Sequence, residues 1–187
     1  MNRNILSALI PSADTTSRSQ IGGTLDLFGE SILTFVAAAG ATIHPLHRGQ
    51  RFDEASPALK RLGVDVDAWP TPPAGLFVVE ERCVYLRSKS AMTVAHEFAH
   101  ALDCALGRGV YRSSTDPEIR AAFRNATAYV TPYAATATDE YFAECVRAYV
   151  EANDPGSFWP RVTRERLRRV DPAMASIVAG IFAQRSP

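Results

Sequence analysis

The chain has 187 residues, 47% of them hydrophobic, which is enough for one sizeable core and too little for two. Twenty basic and twenty acidic side chains cancel to a formal net charge of zero, with a sequence pI near 6.9, so the charge field expected of a nucleic-acid binder or of a protein held on an anionic membrane is missing. No apolar run approaches the roughly 20 residues that a membrane-spanning helix needs; the longest, Ile32 to Ala39, stops at Gly40.

The opening stretch, MNRNILSALIP, is a poor secretory signal because its apolar run is cut short by Pro11. Residues 11–24 are rich in Ser, Thr and Gly, so residues 1–24 read as a flexible lead-in to a single domain over 25–187. Leu25, Leu27, Phe28, Ile32, Phe35, Val36 and Ala39 recur at helical spacing up to Gly40. His44 and His47 flank Pro45, a pattern that reads as a turn rather than a metal pair. Residues 50–74 carry Pro57, Pro70, Pro72 and Pro73, marking irregular structure around a short helix from Pro57 to Leu62. Two β-rich runs follow, Leu76 to Val79 and Cys83 to Leu86, joined by Glu80, Glu81 and Arg82 as a hairpin or strand pair.

A helix is predicted next, with Ser90 as its N-cap and Gly107 as its stop. Further helices are predicted over Asp116 to Tyr129, Thr138 to Ala152 and Thr163 to Phe182. Cys83, Cys104 and Cys145 are odd in number and lack CxxC spacing, so they read as small buried side chains. Trp69 and Trp159, each beside a proline, read as core or loop-anchoring aromatics. The cluster Arg161, Arg164, Arg166, Arg168 and Arg169 reads as a solvated helix face.

The chemistry begins at His96-Glu97-Phe98-Ala99-His100. Positions i and i+4 share a helix face one turn apart, so His96 and His100 can hold one cation, and Glu97 can reach a water beside it as a general base. Asp103 lies on nearly the same face, but seven residues from His96 is about 10 Å along the axis, too far for easy convergence of three ligands; a supporting or structural role fits it better. Glu140 and Glu144 fall four apart on the predicted helix in TPYAATATDEYFAECVRAYVE. Glu140 could be a third metal ligand, with Glu144 fixing the tautomer of a ligand histidine; the alternative is two solvated surface acids.

The segments AHEFAHALD and TPYAATATDEYFAE resemble the catalytic domain of anthrax lethal factor and the related Pro-Pro endopeptidases, a family of zincin-like metallopeptidases. The resemblance covers roughly residues 75–152, and the glycine common in the family's HEFGH is Ala99 here. It implies an α+β fold, with a small sheet packed on the active-site helix and further helices C-terminal to it. It also implies one zinc ion per chain held by His96, His100 and Glu140, Glu97 as general base, Glu144 supporting a ligand, and Tyr133, seven positions before Glu140, as the oxyanion donor. The packing-aromatic reading of Tyr133 stays open.

The expected activity is hydrolysis of a protein or peptide substrate, with residues 75–87 either docking it as an added strand or simply supporting the helix. Two alternatives remain. One is a regulatory peptidase resembling the ImmA and IrrE proteins, although those place their glutamate nearer to HExxH than Glu140 stands here. The other is a catalytically silent binding module, against which the intact Glu97 argues. The sequence does not choose between a secreted peptidase, a delivered toxin and an internal regulator, and it leaves oligomeric state open.

Overall fold

A computed structural model describes residues 3–184. The architecture is α+β, as expected. In chain order the helices are α1 (Arg3–Leu9), α2 (Thr15–Leu25), α3 (Glu30–Ala38), α4 (Phe52–Ala55), α5 (Pro57–Leu62), α6 (Ala91–Leu106), α7 (Arg112–Thr115), α8 (Pro117–Asn125), α9 (Thr138–Tyr149), α10 (Arg164–Val170) and α11 (Pro172–Ala183). The strands are β1 (Thr42–Pro45), β2 (Gly75–Val78) and β3 (Cys83–Leu86).

The three strands form one sheet in the order β1-β3-β2, with β1 parallel and β2 antiparallel to β3. The register pairs Ile43 with Val84 and Phe77 with Val84, and strand alternation then sorts the side chains. Ile43, Phe77, Val84 and Leu86 enter the main core with Val94, Phe98 and Leu102 of α6. Leu76, Val78, Cys83 and Tyr85 face a smaller core with Phe52, Leu59 and Val66. The central strand β3 is thus buried on both faces, which is why its sequence reads as an unbroken apolar run.

Helix α6 begins where expected, its Ser90 side chain accepting from the Thr93 N–H, and ends at Gly107. That glycine is required by space, since a Cβ there would stand 2.0 Å from the carbonyl oxygen of Val110. All three cysteines are free and buried, as the sequence suggests.

Several expectations are corrected. The lead-in over 1–24 carries two helices in its described part, α1 and most of α2: Asp14 caps α2 by accepting from Ser17, and Leu9, Ile10 and Ile21 are fully buried in the main core. Few but well-placed apolar residues outweigh the Ser/Thr/Gly composition there. The helix expected over 25–39 is broken at Gly29, whose φ of 79° lets the chain turn from a 3₁₀ segment, Asp26–Phe28, into α3. The helix expected over 163–182 is two, because Asp171 caps α11 and Pro172 occupies its first turn. His44 belongs to β1 rather than a turn; the turn runs from His47, whose carbonyl accepts from the Gln50 N–H. Two arginines of the expected solvated face are tied down, Arg164 donating to the Tyr149 carbonyl and Arg166 to that of Val130.

No single described helix is long and apolar enough to cross a membrane, and α2 and α3, which pass together on composition, are bent by 109°. Gly107→Ala is expected to destabilise the chain by about 1–3 kcal/mol through forced repacking at the end of α6, measured by urea denaturation; unchanged stability would mean that this end of α6 relaxes freely.

Candidate metal centre

Helix α6 presents His96, Glu97 and His100, and α9 packs across it carrying Glu140 and Glu144. The packing follows from sequence: α9 buries Tyr141, Phe142, Cys145 and Val146, which turns its acidic pair toward the histidines. His96, His100 and Glu140 come together as a group able to hold a metal ion, the one such group among the described residues.

The atomic spacing is specific. Glu140 Oε2 lies 2.9 Å from His96 Nε2 and 3.4 Å from His100 Nε2, and the two nitrogens are 3.2 Å apart. A tetrahedral zinc ion with ligands at about 2.0–2.1 Å separates its donor atoms by about 3.3 Å, so this triangle fits. Glu140 Oε2 is moreover buried against the two ring nitrogens, an arrangement that a cation shared by all three would satisfy.

The charges agree. Burial works against a charged His96, but hydrogen bonds to Glu140 and Glu144 outweigh it and push the imidazole up to about 10. Burial likewise opposes ionisation of Glu140, and the His100 and His96 rings overcome it, holding the carboxyl far below the usual carboxylate range.

Glu144 is the support of this arrangement. Its Oε1 accepts from His96 Nδ1 at 2.9 Å and Arg147 Nε at 2.9 Å, and its Oε2 from Thr131 Oγ1 at 2.6 Å and Arg147 Nη2 at 2.9 Å. A carboxylate acceptor at Nδ1 fixes a proton there, which leaves the Nε2 lone pair for a metal ion lying between it and Glu140. Arg147, itself buried, also donates to the Ala152 carbonyl.

Glu97 is buried at the edge of a cavity of about 500 Å³ that also borders His96, Thr93 and Tyr133. Burial is the main influence on its carboxyl and raises its pKa, with the neighbouring histidines acting in the opposite sense. Strand β2 runs close by: a Cβ on Gly75 would stand 2.6 Å from Glu97 Cγ, so only glycine allows this approach. Tyr133 sits in a 3₁₀ turn, Tyr133–Ala135, is 42% exposed, and donates to Glu140 Oε1 at 3.0 Å. Asp103 is placed elsewhere: both its oxygens accept from Ser113, at 2.9 Å from N and 2.5 Å from Oγ, pinning α7 to α6. Residues 75–87 contain the edge strand β2, whose Gly75 end borders the cavity.

Trp69 and Trp159 are not core residues; both stand about half exposed on loops lining the cavity. Sequence reasoning missed three participants. Arg147 was detectable, being three residues from Glu144 on a helix. Gly75 at a strand start hints at close backbone approach, while Thr131 carries no sequence signal at all.

These features define an α+β protein with a two-histidine, one-glutamate candidate metal centre at a cleft. No protein-family model and no curated protein sequence matches the chain. Among solved structures, the PRO-PRO endopeptidase PPEP-2 from Paenibacillus alvei has the same fold, with a TM-score of 0.66 and 21% identity across 95% of this chain and 99% of that one.

Glu144→Gln is expected to cost roughly 3–5 kcal/mol in urea denaturation, because it leaves Arg147 charged and buried without its partner. The carboxyl of Glu144 is lowered from 4.5 to about 2, His96 and Arg147 overcoming its burial, so its contribution is fully present above about pH 4.5 and lost as pH falls toward 2. The parent and the variant should therefore converge in stability at acid pH; a gap that stays constant down to pH 2 would contradict this role.

Proposed function

We propose that the chain is a zinc-dependent metalloendopeptidase of the lethal factor and Pro-Pro endopeptidase type. The observation that carries this reading is the triangle of His96 Nε2, His100 Nε2 and Glu140 Oε2 with the Glu97 carboxyl beside it at the cleft. The PRO-PRO endopeptidase PPEP-2 has the same fold, which supports the assignment.

Zinc held by these three residues would supply Lewis-acid polarisation of the scissile carbonyl and of the attacking water. Glu97 takes the proton from that water and returns it to the leaving amine; its burial brings its proton affinity nearer to neutral pH, where a base is most effective. Glu144 keeps His96 in the donor tautomer and orientation. The Tyr133 hydroxyl, now bonded to Glu140, turns to donate to the carbonyl oxygen as negative charge develops there. A peptide lying antiparallel or parallel to the free edge of β2 would pass directly over Glu97, because Gly75 leaves no side chain between strand and helix. An intact, buried Glu97 facing an open cleft has no purpose in a silent binding module.

A diverse peptide pool incubated with the zinc-loaded protein and read by mass spectrometry is expected to show cuts that chelator removes. Glu97→Gln should hold zinc and make no cuts. Tyr133→Phe should lower kcat by roughly 10²-fold with little change in KM, the loss of one oxyanion donor. Full turnover in Glu97→Gln would sink the mechanism, and unchanged kcat in Tyr133→Phe would remove that residue from it.

A further inference from the structure

The chemistry above leaves unexplained the apolar lining of the cleft, contributed by Trp69, Pro72, Pro73, Met92 and Trp159. Trp159 lies on a loop running from Asn153 to Val162, beyond the segment whose sequence resembles the peptidase family. The base of the loop is clasped: Val162 N–H donates to Asn153 Oδ1 at 2.9 Å, and Asn153 Nδ2 donates to the Val162 carbonyl at 2.8 Å. A third bond fastens it beside the active-site helix, the Met92 N–H donating to Asp154 Oδ1 at 3.3 Å.

Past that base the hydrogen bonds are local ones, from Ser157 N–H to the Asp154 carbonyl and from Trp159 N–H to Ser157 Oγ. At the tip Phe158 is fully exposed and Trp159 half exposed, an adjacent pair of large rings left in water. The Trp159 ring stands 6.4 Å from that of Tyr133. Gly156, with φ of 77°, gives the tip a point of backbone freedom, while Pro155 and Pro160 restrict the chain on either side and so reduce the entropy lost on ordering. Of the charged groups lining the cleft, Arg147 is already held by both oxygens of Glu144, and Glu97 is taken up by its role as the base, so neither is left for a substrate side chain.

We propose that the Asn153–Val162 loop is a substrate clamp: Trp159 walls a subsite for a bulky uncharged apolar side chain next to the scissile bond, and Phe158 closes over the bound peptide. This rests on the peptidase reading. Trp159 beside Tyr133 places the subsite next to the carbonyl under attack, and burying both rings against an apolar side chain supplies the driving force for closure. Charged side chains gain nothing there and lose their hydration.

The test uses Trp69→Phe, which leaves Trp159 as the sole tryptophan, combined with Glu97→Gln in the zinc-loaded chain. Short peptide hydroxamates carrying a phenylalanine, leucine or glycine side chain next to the hydroxamate are titrated in. The phenylalanine and leucine compounds should blue-shift Trp159 emission and the glycine compound should not. Trp159→Ala should weaken the phenylalanine compound roughly 10-fold or more and the glycine compound by less than about twofold, and Phe158→Ala should speed dissociation of the phenylalanine compound. Both substitutions are at exposed positions and should leave the melting temperature unchanged. Equal affinity for all three compounds with no emission change, or a uniform loss in Trp159→Ala, overturns the clamp and leaves the metallopeptidase reading intact. Failure of every hydroxamate to bind a chain shown to hold zinc overturns both.

Discussion

The four hydrogen bonds on the Glu144 carboxylate hold α6, α9 and the segment between α8 and α9 in one arrangement. Their three partners do different things. His96 is oriented from α6, Thr131 anchors the chain just before the Tyr133 turn, and Arg147 neutralises the buried charge from one turn further along α9. Without a positive partner a carboxylate this deep would take up a proton, and a protonated Glu144 would no longer specify the tautomer of His96. The geometry of the candidate ligands therefore depends on an ion pair that contributes no ligand atom itself.

Around that pair, packing decides where the reacting groups point. The sheet is only three strands wide, but its central strand is buried on both faces, and this gives α6 a firm surface along Val94, Phe98 and Leu102. The same helix shows Glu97 to the edge strand, where Gly75 lets the backbone come within contact of the carboxyl. Gly75 and Glu97 thus line the cleft together, beside the loops that carry Trp69 and Trp159.

Much of the site was legible in the sequence because helical spacing is local and short-range. His96, Glu97 and His100 follow from one turn of periodicity, and Glu140 and Glu144 from another, so both sets lie on helices in the expected places. Strand β3 was also legible, since burial on both faces gives an unbroken apolar run. What failed was non-local. Strand β1, Thr-Ile-His-Pro, is short and half polar, and it exists only because β3 offers it a parallel edge. The N-terminal helices hide behind a Ser/Thr/Gly composition, held by a capping aspartate and a few residues that reach the core. Trp69 and Trp159 were read by composition as core or anchoring residues, and only the tertiary arrangement shows them turned toward the cleft. Thr131 likewise gains its role from a partner thirteen residues away on another element.

The proposed function requires His96, His100 and Glu140 to hold one zinc ion. A crystal of the zinc-supplemented protein, measured on both sides of the zinc absorption edge, tests it most directly. A single anomalous peak is expected, bonded to His96 Nε2, His100 Nε2 and a Glu140 oxygen at about 2.0–2.2 Å, with Glu144 still on His96 Nδ1. A zinc-free cluster with a proton shared between His96 and Glu140, or an ion bound without Glu140, would contradict it.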